Sequence, residues 1–117
     1  MARIYRFGSG LTPVVNADFY TPTMGVEYRE AYFNIRFYSD AGITPVVPTG
    51  GIVKFQASDD RETPYRYRSL LGGSFPAKES DIGIRVQPTA LGPLVSGKLT
   101  LSDVTGATHF KAWVERV

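Results

Sequence analysis

Apolar and polar residues alternate with a period of two along much of this chain. Ile82, Ile84 and Val86 fall on one side of such a pattern, with Gly83, Arg85 and Gln87 on the other. Val53, Phe55 and Ala57 alternate with Lys54 and Gln56, and Leu99 and Leu101 with Lys98, Thr100 and Ser102. Near the C-terminal end Phe110, Ala112 and Val114 alternate with His109, Lys111, Trp113 and Glu115. Successive side chains of a strand point to opposite faces, so each stretch predicts a half-buried strand.

Val26 to Ala41 is the longest window free of Gly and Pro. Tyr28, Tyr32 and Ile35 would share one face of a helix. Phe33, Ile35 and Phe37, however, alternate with Asn34, Arg36 and Tyr38, and the density of aromatics favours a strand. Ser39-Asp40-Ala41-Gly42 then predicts a turn closed by glycine in the left-handed region. Further strands are predicted at Ile4 to Phe7, Val14 to Tyr20 and Tyr65 to Leu70. Prolines 13, 22, 45, 48, 64, 76, 88 and 93, with the pairs Gly50-Gly51 and Gly72-Gly73, predict boundaries and not strand centres. The sum is about seven or eight short strands with turn signals roughly every ten residues, the signature of an all-β protein. An antiparallel β-sandwich, jelly-roll-like or immunoglobulin-like, is expected, with a small barrel as the alternative. No strand–helix–strand alternation and no repeat interrupts this reading, so residues 1–117 are expected to form a single domain.

Composition narrows the picture. For 117 residues and 12.9 kDa, area scaling gives roughly 6,300 Å² folded against about 18,700 Å² unfolded, enough burial for a core without staples. Hydrophobic content of 43% with 21% charged residues excludes wholesale disorder. Twelve glycines and eight prolines leave little room for long helices. Thirteen basic against eleven acidic side chains give a net charge of +2, far short of the dense field of a dedicated nucleic-acid binder. The absence of cysteine excludes disulfides, thiolate zinc sites and cysteine nucleophiles. No apolar run approaches the ~18 residues of a membrane span, and the N-terminal residues lack a signal-peptide core. A soluble chain made in the cytoplasm, with no membrane partner, is the expectation.

The chemistry-bearing residues are few. His109, the only histidine, would need a carboxylate and a nucleophile beside it to act as a base; on the polar side of its strand, a surface histidine is the better reading. Asp59, Asp60 and Glu62 could attract calcium, but Arg61 interrupts them and the spacing is not that of a calcium loop, so a solvated turn is preferred. Phe7-Gly8-Ser9-Gly10 lacks the lysine and helix of a phosphate loop. Tyr65-Arg66-Tyr67-Arg68 and Arg3-Ile4-Tyr5-Arg6-Phe7 interleave aromatics with arginine, as single-stranded nucleic-acid binders do. Period-two packing, with tyrosines on one side and arginines on the other, explains them more simply. Trp113 lies opposite Phe110, Ala112 and Val114, on a face that something must cover, whether a part of this chain or a partner. Trp, Tyr and Arg are enriched at interaction hot spots. The interface candidates are therefore Trp113, Lys111, Tyr65, Tyr67, Arg66 and Arg68. No catalytic, cofactor-binding or metal-binding residue is assigned, and no enzymatic activity is expected.

The stretch Gly51-Ile52-Val53-Lys54-Phe55-Gln56-Ala57-Ser58-Asp59-Asp60 is followed by Gly73-Ser74-Phe75-Pro76-Ala77, Leu91-Gly92-Pro93-Leu94 and Val104-Thr105-Gly106-Ala107-Thr108-His109-Phe110-Lys111-Ala112-Trp113-Val114. Over about residues 50–117 this texture resembles the small β-sandwich virion structural proteins of tailed bacteriophages. The resemblance is one of style, carried by no diagnostic motif. It implies a non-enzymatic, cofactor-free virion component, made in the host cytoplasm, that stabilises or decorates a capsid. Its partners would be identical subunits, in a homo-oligomer, or major capsid or tail proteins. The loops Leu11 to Pro22 and Ile43 to Gly51 would reach neighbouring subunits, and a repeated modest interface would gain through avidity. The alternatives are a tail or appendage component that binds carbohydrate on Tyr and Trp platforms, and third, a small barrel that binds single-stranded nucleic acid.

Overall fold

Where no breaker interrupts them, the predicted alternations are strands. The computed structural model describes residues 3–8, 10–42, 44–80, 84–86 and 93–117. Within them run β1 (Arg3–Arg6), β2 (Thr12–Pro13), β3 (Ala17–Tyr20), β4 (Ala31–Ser39), β5 (Thr44–Val46), β6 (Gly50–Ser58), β7 (Arg68–Pro76), β8 (Ile84–Val86), β9 (Ser96–Thr105) and β10 (His109–Arg116). No helix among the described residues is long and apolar enough to cross a membrane. Of the alternation read over Ile82 to Gln87, β8 holds the middle; Ile82, Gly83 and Gln87 lie outside the described residues, as do Ser9, Ile43, Leu91 and Gly92.

The strand reading of the aromatic window is right. In β4, Ala31, Phe33, Ile35 and Phe37 are buried while Tyr32, Asn34, Arg36 and Tyr38 face outward to differing degrees. A helix would spread those four apolar residues around its circumference, whereas a strand sets them in one row. That row meets β10 in antiparallel register, Phe37 opposite Phe110, Ile35 opposite Ala112 and Phe33 opposite Val114.

The two sheets are antiparallel throughout. One has the order β1–β10–β4–β5, with β2 continuing the β1 edge along β10 and β8 continuing the β5 edge along β4; the other has the order β3–β9–β6–β7. Pairing β1 with β10, β3 with β9, β4 with β8 and β6 with β7 describes one long ribbon doubled back between β6 and β7. Its successive segments fall alternately in the two sheets, and the winding lays β10 beside β4 and β9 beside β6. This is a jelly roll, so of the two sandwich topologies expected the immunoglobulin order is set aside. The short β2 and β5 are additions to it. The segments expected to reach out as loops are partly held in the sheets, as β2, β3, β5 and the start of β6.

Between the sheets the core is aromatic. Phe55 lies 5.6 Å from Phe7, 5.5 Å from Phe33 and 6.2 Å from Phe75, centroid to centroid. Phe110 makes a second cluster with Phe19 at 4.9 Å and Phe37 at 6.4 Å. Each buried Phe contributes about 1.5–3 kcal/mol by area, with about 0.5–1.5 kcal/mol more for each well-placed ring pair. The solvent-accessible surface is 6,472 Å², close to the value that chain length alone predicts.

Several local expectations need correction. The strand expected over Tyr65 to Leu70 begins at Arg68 and runs on through Gly72-Gly73, a pair whose glycines predict a boundary. Its pairing with β6 jumps from Lys54↔Ser74 to Gln56↔Ser69, so β7 pushes out extra residues opposite Phe55. Glycine permits this: Gly72 has φ 72°, and a Cβ on Gly73 would meet the Phe55 carbonyl oxygen at 2.7 Å. Gly50-Gly51 likewise sits inside a bulge at the start of β6, where Gly51 has φ 98°. Pro13 and Pro45 lie within β2 and β5, both on sheet edges where a missing N–H costs no ladder bond. The stretch Val14 to Tyr20 supplies only β3, from Ala17 onward. In the turn after β4 the left-handed residues are Asp40 (φ 50°) and Ala41 (φ 57°), where glycine was expected. Thr44 donates to the Asp40 carboxylate at 3.3 Å across that turn.

Candidate interaction surface

Strand β10 is central in its sheet and turns His109, Lys111, Trp113 and Glu115 to the outer face. The register places Arg6 and Asn34 on either side of Trp113, Arg36 across from Lys111, and Ile4 and Tyr32 on either side of Glu115. Lys111 and Arg36 are like charges directly opposite one another, an unfavourable cross-strand pair. Lys111 turns its ammonium over the Tyr38 ring instead, 5.5 Å from the centroid, where the ring quadrupole attracts it. Tyr32 donates its hydroxyl to Glu30 at 2.6 Å. His109 has Nδ1 2.9 Å from the Thr108 hydroxyl.

On this face, beside β1, lies a groove of about 230 Å³. Ile4, Arg6, Gly10, Lys111, Ala112 and Trp113 line it. Trp113 is half-buried and Ile4 is 44% exposed. The expectation that Trp113 stands on a polar face is thus met, and its cover is partial.

The other four candidates are on the opposite side of the sandwich. Tyr67 packs against Tyr20 of β3 at 5.5 Å and edge-on to Tyr65 at 6.5 Å. Its hydroxyl is 2.8 Å from that of Ser96, while the Tyr65 hydroxyl is 3.0 Å from that of Thr23. Lys98 sits 5.8 Å from the Tyr67 centroid and 3.8 Å from Asp18. These tyrosines fasten the segment between β6 and β7 onto the outer face of the β3–β9–β6–β7 sheet. Arg66 is 81% exposed in its side chain and donates to Asp60 at 2.8 Å. That hydrogen bond, with the carboxylate's charge, holds the guanidinium still more firmly protonated. Arg68 opens β7 and is exposed. Trp113 and Lys111 therefore come together, Tyr65 and Tyr67 come together, and the two groups do not meet.

Among the described residues, no cluster of three or more His, Asp or Glu side chains is placed to hold a metal ion. Asp60, with its neighbours Asp59 and Glu62, occupies the segment after β6 and takes Arg66 as partner.

Two residues escaped the sequence reading. Arg116 is fully buried, with Nε donating to the Glu30 carbonyl at 3.0 Å and its terminal nitrogens to Leu94 and Tyr28 carbonyls at 3.1 Å each. Burial lowers its affinity for the proton. The signal was present: the parity that sends Phe110, Ala112 and Val114 inward sends residue 116 inward too. Leu71, fully exposed on the β7 bulge, gave no such signal, because a bulge resets parity. Comparisons of the chain with protein-family models, with curated proteins and with solved structures found no match.

Proposed function

We propose that this protein is a non-enzymatic assembly component of a bacteriophage-like particle, stabilising or decorating its shell through repeated contacts with identical copies or with shell subunits. The observation that carries this reading is the edge formed by β7. Three of the four sheet edges are built from strands of two to four residues, β1 with β2, β3, and β5 with β8, as soluble proteins commonly arrange. β7 is nine residues long and, among the described residues, pairs on one side only. Leu71 rises from it with 100% exposure. On its open side, the regular runs Arg68–Ser69 and Ser74–Pro76, which flank the bulge carrying Leu71, are suited to receive another chain by strand addition. Jelly rolls recur in viral shell and lectin domains, which supports the reading by analogy of fold alone.

Sedimentation velocity on the purified chain, with fractionation of lysates of producing cells, tests the reading. The chain is expected to self-associate or to travel with large particles, and Leu71→Asp to weaken that association. A chain that stays monomeric at every concentration and sediments with no particle refutes it.

A further inference from the structure

Among the described residues that line the groove beside Trp113, the polar side chains are of one kind only. Arginine and lysine donate and cannot accept, and indole offers one N–H and no acceptor. Among the described residues no carboxylate pairs with Arg6 or Lys111, and the Lys111 ammonium has only the Tyr38 ring beneath it. The charged side chains of the lining are both cationic and so complementary to an oxyanion, which the Arg6 guanidinium can meet and which Lys111 can join by leaving the Tyr38 ring. Ile4 and the indole supply an apolar surface beside those donors.

We propose that this groove binds an acidic sugar, with the C–H face of a pyranose ring on Trp113 and the ring's carboxylate or sulfate on Arg6 and Lys111. The inference is independent of the assembly reading, since β7 belongs to the other sheet. The volume suits a single ring, being below the ~300–1,000 Å³ of sites for larger ligands. Single-stranded nucleic acid needs successive free aromatic platforms; among the described residues lining this groove, Trp113 is the one aromatic. A pyranose keeps its hydroxyls at the rim, in water.

Trp113 is the only tryptophan, so intrinsic fluorescence reports on this groove. Titrants are a glucuronate-containing oligosaccharide, a sulfated one, a neutral one of equal length, an Asp/Glu hexapeptide and an oligothymidylate. A saturable change is expected with one or both acidic saccharides, the two arms separating carboxylate from sulfate recognition. The neutral saccharide should bind at least about tenfold more weakly, as should the acidic one to Arg6→Ala or Lys111→Ala, the change expected on losing one charge-assisted contact. Lys98→Ala, on the opposite face, should bind as the unmodified chain does, and unchanged thermal melts show that all three variants are folded. The proposal is overturned by no response to either acidic saccharide, by equal binding of the neutral one, by a response confined to peptide or oligothymidylate, or by equal loss in Lys98→Ala.

Discussion

Replacing Arg116 by Met removes the guanidinium while keeping a long apolar stem in the same space. The side chain joins three stretches of chain, because its donors reach the Tyr28 and Glu30 carbonyls before β4 and the Leu94 carbonyl before β9. The Leu94 bond is wholly buried, so losing it leaves an acceptor without water, at a cost of about 1–3 kcal/mol. The other two carbonyls are partly buried and can recruit water, at roughly 0.5–1 kcal/mol each. Burying a cation is itself costly, and Met returns that penalty, which keeps the expected loss to about 2–4 kcal/mol. For a domain of this size that corresponds to a fall of roughly 8–16 °C in Tm. Urea denaturation followed by Trp113 fluorescence and by far-UV circular dichroism measures it. Arg116→Lys should fall between, since an ammonium cannot span three acceptors as the planar fork does. A Met variant within about 0.5 kcal/mol of the unmodified chain would show that these bonds contribute nothing net. The pH dependence has a definite sign. A cation whose proton affinity is lowered by folding binds fewer protons folded than unfolded, so its contribution rises with pH only just below the ordinary guanidinium value. Between about pH 5 and 9 the difference between Arg116→Met and the unmodified chain should therefore stay flat.

Other substitutions probe other parts of the fold. Phe55→Ala empties the centre of the main aromatic cluster and should cost about 3–5 kcal/mol in the same denaturation assay. Gly51→Ala should cost at least about 2 kcal/mol, since it combines a left-handed backbone with a Cβ placed 2.5 Å from Val104 Cα. Leu71→Ser should leave stability within about 0.5 kcal/mol, because the side chain touches solvent only, while reducing any concentration-dependent sedimentation.

The chain's own pattern determined the fold class. Period-two alternation in β4, β6, β9 and β10 reflects a local rule, that neighbouring side chains point oppositely, and each stretch can be read alone. The same rule placed Trp113 and Lys111 together on an outer face. Followed one residue further, it would have turned Arg116 inward. What the pattern could not determine was everything that depends on a partner strand. The jelly-roll order comes from pairings such as β1 with β10, separated by most of the chain, and from how one inner face fills the other. The glycine pairs read as boundaries because a bulge exists only relative to the strand opposite, so Gly72-Gly73 and the exposed Leu71 became intelligible only beside Phe55. Tyr65 and Tyr67 sit apart from Trp113 for the same reason: membership of a sheet, and hence of a surface, is settled by long-range burial that no local window contains.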